Sequence, residues 1–287
     1  SGTSITVSPP STTTYTVTGL NANGCINTST RTITVNTLPV ANAGVDKTLT
    51  CITPSTTIGT TAIAGNTYVW VPATNLNSTT IATPTTSSLV TTTYTVTVTG
   101  ANGCTATSTV IVNVNTTPPV ANAGTNLNLD CNTTSSTIGT TSIVGNTYAW
   151  SPATGLSANN LAQPIASPGA TTIYTVTVTG ANGCTATSTV TVNVNTTPPV
   201  ANAGTNLNLD CTTTSGSIGT TSIVGNTYSW SPATGLSANN VAQPIASPFA
   251  TTSYTVTVTG ANGCTATSTV MVNVNTTPPV ANAGTNL

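Results

Sequence analysis

Residues 92–104 read Thr-Thr-Tyr-Thr-Val-Thr-Val-Thr-Gly-Ala-Asn-Gly-Cys. Tyr94, Val96 and Val98 alternate with Thr95, Thr97 and Thr99. A period of two places one set of side chains in a core and the other in water, the pattern of a half-buried β-strand. Asn102-Gly103 ends the run with two residues that tolerate positive φ, so a tight hairpin turn is expected there. The return strand then covers residues 105–114 and points Val110, Val112 and Val114 inward. Further short strands are expected at 48–51, 56–60, 67–71 and 81–84, between Gly, Pro and Asn turns. No segment carries the 3.6-residue period of a helix. The reading is all-β, an antiparallel β-sandwich.

The pattern recurs along the chain. Trp70, Trp150 and Trp230 repeat at one constant spacing, as do Cys51, Cys131 and Cys211, and Cys104, Cys184 and Cys264. Residues 120–199 and 200–279 differ at eight positions, Leu161/Val241, Gly169/Phe249 and Ile173/Ser253 among them. The boundaries fall at Asn-Thr-Thr-Pro-Pro, where paired prolines give short, semi-rigid joints. The expected organisation is a partial repeat at 1–36, Ig-like repeats at 37–116, 117–196 and 197–276, and the start of another at 277–287. The chain thus reads as a window from a longer linear array. Such small repeats need every large side chain they have for a core. Tyr68, Trp70 and Tyr94, with Tyr148, Trp150, Tyr174, Tyr228, Trp230 and Tyr254, are therefore expected to be core.

Charge is nearly absent. Among 287 residues there are two Lys or Arg, three Asp or Glu and no His. The five are Arg31, Asp46, Lys47, Asp130 and Asp210. With neither His nor Glu the chain lacks the ordinary general bases, and no catalytic residue is expected. His-based metal sites are likewise absent, and no metal or cofactor is expected. Two cations cannot neutralise a run of phosphates, so nucleic acid is not an expected partner. No apolar run reaches the ~18 residues of a membrane span.

The seven cysteines have few roles open to them. Two thiols per repeat do not fill a zinc site, and no cation lies near to activate a nucleophile. Disulfides are the remaining reading, with an oxidising, extracellular setting. Two pairings compete. Staples within repeats would be Cys51–Cys104, Cys131–Cys184 and Cys211–Cys264, leaving Cys25. Bridges across the joints would be Cys25–Cys51, Cys104–Cys131 and Cys184–Cys211, leaving Cys264. The return strand carries the chain ~34 Å away from Cys104 before the joint, which favours the staples within repeats.

Weaker signals have plain readings. The Asn-x-Ser/Thr sequons at Asn27, Asn77, Asn115, Asn132, Asn195 and Asn275 are no more frequent than a hydroxyl-rich chain gives by chance. Asp46, Asp130 and Asp210 are isolated, whereas calcium takes six to eight oxygens.

Tyr-Val-Trp-Val-Pro-Ala-Thr-Asn-Leu (68–76), Tyr-Ala-Trp-Ser-Pro-Ala-Thr-Gly-Leu (148–156), the 92–104 run and Pro-Val-Ala-Asn-Ala-Gly (39–44, 119–124) together resemble a known repeat type. They are similar to the PKD/Ig-like tandem repeats of very large Bacteroidota cell-surface proteins, gliding-motility adhesins exported by type IX secretion included. The Trp-Asp-Phe-Gly-Asp-Gly signature of PKD domains is absent. The resemblance implies Ig-like sandwiches in a secreted stalk or filament on a bacterial surface. Its partners would be other copies of itself, end to end or side by side, or external surfaces and glycans. An adhesin module is the alternative, with variable positions such as Gly169/Phe249 and Ile173/Ser253 contacting carbohydrate or another surface.

Overall fold

The computed structural model describes residues 4–278, 280 and 281. The described chain is all-β, with twenty strands and no helix. The partial repeat contributes β1 (Thr13–Leu20) and β2 (Ile26–Ile33). The next contributes β3 (Lys47–Thr50), β4 (Thr56–Thr57), β5 (Thr67–Val71), β6 (Thr85–Thr86), β7 (Thr92–Thr99) and β8 (Thr105–Asn115). The same six recur as β9 (Leu127–Asp130), β10 (Ser136–Thr137), β11 (Thr147–Ser151), β12 (Ile165–Ala166), β13 (Thr172–Thr179) and β14 (Thr185–Asn195). They recur again as β15 (Leu207–Asp210), β16 (Gly216–Ser217), β17 (Thr227–Ser231), β18 (Ile245–Ala246), β19 (Thr252–Thr259) and β20 (Thr265–Asn275). The strand expected at 81–84 forms instead at the next two residues, β6, where Thr85 and Thr86 pair with β4.

Each complete repeat is a two-layer sandwich. One sheet has the order β3-β8-β7-β5 and the other is the β4-β6 pair. In the first complete repeat the core joins Leu49 of β3, Trp70 of β5, Tyr94, Val96 and Val98 of β7, and Val110 and Val112 of β8. Ile58, just past β4, closes it from the other layer. Full burial of each such apolar side chain contributes ~1.5–3 kcal/mol, so about eight of them outweigh any surface contact. The hydroxyls and indoles inside are satisfied. Trp70 Nε1 donates to Ile81 O at 2.9 Å, and Tyr94 Oη donates to Thr74 O at 2.9 Å. Trp150 and Tyr174, and Trp230 and Tyr254, repeat both bonds. Burial raises the phenol pKa of Tyr174 and Tyr254 above the usual value.

Tyr68, Tyr148 and Tyr228 stand differently from the other aromatic residues. They are half-buried at the margin of each core, and their hydroxyls accept hydrogen bonds from the N–H groups of Ile63, Ile143 and Ile223 at 2.8, 2.9 and 2.8 Å.

One sheet feature departs from the antiparallel expectation. β3 pairs with β8 in parallel, Lys47 to Val112 through Thr50 to Asn115. Its lead-in follows the same direction, with Ala43 N donating to Ser108 Oγ at 3.1 Å and Ile111 N donating to Asp46 Oδ1 at 2.8 Å. Residues 43–50 therefore run alongside 108–115 from start to end. A two-residue sequence period marks a strand but carries no direction, so this pairing was invisible to it. The consequence is that Cys51 lies at the last residues of β8, whereas Cys104 precedes its first.

By compactness the chain divides into two units, Ser1–Pro118 with Gly180–Cys184, and Pro119–Thr179 with Thr185–Leu287. The hairpin tip between β13 and β14 thus belongs to the unit that holds the preceding repeat.

Candidate interaction site: cysteine socket and hairpin tip

Cys51 is bonded to Cys184, with Cα atoms 5.1 Å apart, and Cys131 to Cys264 at 5.0 Å. Both bridges span 133 residues and join the first cysteine of one repeat to the second cysteine of the next. The within-repeat pairs Cys51–Cys104, Cys131–Cys184 and Cys211–Cys264 are thereby corrected, and the alternative Cys104–Cys131 set is not formed either. The cause is the parallel edge strand. With Cys51 and Cys104 at opposite ends of an 11-residue strand, roughly 35 Å at ~3.3 Å per residue separates them. No disulfide spans that distance. The length that argued against bridges across the joint in fact separates the two cysteines of one repeat.

In the second unit, the socket is the turn after β9 together with the end of β14. Asp130 Oδ1 accepts the N–H groups of Asn132 at 2.9 Å and Thr133 at 2.8 Å, an Asx turn that presents Cys131 outward. The tip is residues 260–264, Gly-Ala-Asn-Gly-Cys, closed by Gly260 N to Cys264 O and Gly263 N to Gly260 O, both 2.9 Å. Asn262 docks it at two points. Its carbonyl accepts the Cys131 N–H at 3.1 Å. Its Nδ2 lies 3.1 Å from Asn195 O, 3.2 Å from Asn195 Oδ1 and 2.9 Å from Thr197 O, the carbonyls leading into the joint. Gly263 sits at φ +71, and a Cβ there would collide with the Asn132 side chain. Only glycine allows that approach.

The first unit repeats the arrangement. Cys51 N donates to Asn182 O at 3.2 Å, and Asn182 Nδ2 donates to Asn115 O, Asn115 Oδ1 and Thr117 O at 3.2, 3.1 and 2.9 Å. Gly183, at φ +74, faces Ile52 so closely that a Cβ would overlap it. Here Thr50 Oγ1 replaces the Asp carboxylate and accepts from Ile52 N and Thr53 N at 3.3 and 3.2 Å. The bridged thiols at the tips, Cys184 and Cys264, are each 2% exposed.

Three cysteines are free among the described residues: exposed Cys25, exposed Cys211 and half-buried Cys104. Cys211 occupies the socket position. Its neighbour Asp210 accepts hydrogen bonds from Thr212 Oγ1 at 2.7 Å, Thr212 N at 2.8 Å and Thr213 N at 2.7 Å. The Thr212 hydroxyl, then the Thr213 and Thr212 amides, hold the Asp210 carboxyl below its ordinary pKa. Cys104 occupies the tip position, and Asn102 Nδ2 donates to Thr37 O at 2.9 Å as its counterparts do to Thr117 and Thr197. Among the described residues no three His, Cys, Asp or Glu side chains converge.

Sequence reasoning read Asn102-Gly103 and its equivalents as turn residues and missed the docking role of Asn182 and Asn262. The signal available was the fixed Asn-Gly-Cys order at every tip, since a turn alone needs no particular residue after its glycine.

No protein-family model matches the chain. No curated protein is significantly similar to it. Among solved structures, it is similar to a Ca2+-stabilised adhesin that helps an Antarctic bacterium bind ice, at 15% identity and TM-score 0.44, over 92% of this chain and 82% of that one. The human desmocollin-1 ectodomain gives 11% identity and TM-score 0.33 over 92% and 68%. Sidekick-1 immunoglobulin domains 1–5 give 12% and 0.32 over 92% and 66%.

Proposed function

We propose that the chain is a structural extracellular protein, a stalk or filament on a bacterial surface in which every repeat is covalently latched to the next. The observation that carries this reading is the pair of bridges from one repeat to its successor, Cys51–Cys184 and Cys131–Cys264. A proline joint alone limits bending only through its backbone. A disulfide and the Asn182 or Asn262 bonds beside it add a second connection, so bending a joint has to break several interactions together. Covalent cross-links across joints suit a protein that transmits force, and disulfides persist in extracellular space. Such a chain has no use for catalytic chemistry, and we read it as non-enzymatic. The repeat units are the domains of the array, with boundaries at the Asn-Thr-Thr-Pro joints.

Electron microscopy of the purified chain, before and after reduction, tests the reading. A narrow range of joint angles is expected under oxidising conditions, with a broad range after reduction. Equal angular spread in both states would refute the latch.

A second reading is favoured by one residue. Phe249, which replaces Gly169 of the preceding repeat, is 101% exposed beside Pro248. A bare phenyl ring offers a stacking surface for a sugar ring or an apolar patch. Under this adhesin reading, Phe249→Gly abolishes retention on a glycan array; unchanged retention counts against it.

A further inference from the structure

Away from the cysteines, the third complete repeat carries a surface groove of about 420 Å³, within the range of small-molecule sites. Ser222, Asn226, Tyr228, Asn240 and Gln243 line it, over Val241 and Ala242. Both of its walls are tethered. Trp230 Nε1 donates to Val241 O at 2.9 Å, and a Cβ on Gly219 would collide with the Ala242 carbonyl. Opposite, Asn226 N donates to Ile223 O at 3.1 Å, and Tyr228 Oη accepts the Ile223 N–H at 2.8 Å. The frame is therefore set by the core, and little ordering is left for a ligand to impose.

The lining is three primary amides, a hydroxyl and a phenol, without a charge. Each amide offers a carbonyl acceptor and two N–H donors, the complement of adjacent sugar hydroxyls that both donate and accept. Because Tyr228 Oη accepts from Ile223, its own proton is left to donate. The half-buried phenol ring gives the apolar face of a pyranose a surface to stack on. A charged sugar finds no counter-charge here.

The other repeats supply a built-in comparison. The second complete repeat keeps Ser142, Asn146, Tyr148, Asn160 and Gln163, with Leu161 for Val241. Trp150 Nε1 donates to Leu161 O at 2.8 Å and Ile143 N to Tyr148 Oη at 2.9 Å, so the frame is the same. Leu161 and Val241 are 49% and 40% exposed, and the groove is open in both repeats. The first complete repeat keeps the frame, through Trp70 Nε1 to Ile81 O and Ile63 N to Tyr68 Oη. Its lining differs: Ala62, Thr80 and Thr83 stand in place of serine, asparagine and glutamine.

We propose that the grooves of the second and third complete repeats each bind a neutral hexose unit of an oligosaccharide, and that the first does not. The site is separate from the disulfide latch and from Phe249, and it stands whether or not either of those readings holds.

Side-chain amide signals in ¹H–¹⁵N spectra of the full oxidised chain provide the test, with cellohexaose, maltohexaose and mannohexaose as neutral probes and hexagalacturonate as the charged one. At least one neutral probe should shift Asn146, Asn160 and Gln163 together with Asn226, Asn240 and Gln243, and leave Asn66 in place. Hexagalacturonate should shift none of them. Asn240→Ala with Gln243→Ala, both at exposed positions, should abolish the response at Asn226 and leave that at Asn146. Ala62→Ser, Thr80→Asn and Thr83→Gln together should bring Asn66 into the responding set and raise the sugar bound per chain from two to three. Phe249→Gly should change nothing. The proposal is overturned if no neutral probe shifts these amides, if Asn66 of the unsubstituted chain responds as strongly as Asn146, if hexagalacturonate acts equally, or if Phe249→Gly removes the response.

Discussion

The sockets at Cys131 and Cys211 lie in repeats that differ at only eight positions, yet one holds a hairpin tip and the other is open. Their own residues do not explain this. Asp210 makes the Asx turn that Asp130 makes, and Asn275 ends β20 as Asn195 ends β14. What differs is the tip: Asn262, Gly263 and Cys264 fill the Cys131 socket, whereas no described residue occupies the Cys211 socket. The site is thus half a contact by construction, and only neighbouring copies of the same motif complete it. The β1–β2 hairpin gives the matching lesson for the core. It pairs through the same eight-residue register as β7–β8, but Val17 is 65% exposed where its counterpart Val96 is 1% exposed. Pairing forms the hairpin; the Trp-bearing half of the repeat buries it.

The comparison can be broken most forcefully at the bridge. Cys264→Ser should turn the Cys131 socket into a copy of the open one. It removes closure of a 133-residue span, worth up to about 5 kcal/mol in the chain-entropy model. Denaturant unfolding should show that loss, and Cys131 should become alkylatable at the rate of Cys211.

A subtler break keeps both thiols. Gly263→Ala pushes a Cβ into Asn132, whereas Gly103→Ala, at the unbridged tip, meets nothing within 4 Å. Both pay roughly 1–2 kcal/mol for a left-handed non-glycine residue. The excess cost of Gly263→Ala, about 1–3 kcal/mol from overpacking, measures the docking contact alone. Equal losses at the two positions would mean the tip is held by sulfur only.

Asn262→Ala removes the donor to the joint carbonyls of Asn195 and Thr197 but leaves the bridge. A loss of about 1 kcal/mol is expected, with faster amide exchange at Thr197 and no change at Thr277.

The smallest effect concerns acid. Because the Asp210 carboxyl is held below its ordinary pKa, its turn is stabilised at and above the unfolded value of ~3.9. That contribution disappears as pH falls through the lower folded value. The protection of the Thr213 amide, taken relative to its intrinsic exchange rate at each pH, should therefore be constant above pH 5 and fall only in stronger acid, and in Asp210→Asn that fall should be lost.

Much of this was legible in the residues. Alternation at 92–99 gave β7 and its inward valines, and Trp70 with Tyr94 gave the core, because burial leaves a periodic trace. The bridge partners were not legible. Cysteine parity admits more than one pairing, and the deciding fact is the direction of residues 43–50 beside 108–115. That direction follows from how the chain enters from the joint, and no side-chain period records it. Asn182 was hidden for a related reason: its partners, Asn115 and Thr117, lie 67 and 65 residues away. In the local sequence it is indistinguishable from any turn asparagine.

The central claim, that disulfides latch successive repeats, is tested most directly by mapping bridges in the oxidised, unsubstituted chain. Chymotryptic peptides analysed without reduction should contain Cys51 linked to Cys184 and Cys131 linked to Cys264. Recovery of Cys51–Cys104 or Cys131–Cys184 peptides in their place would contradict it.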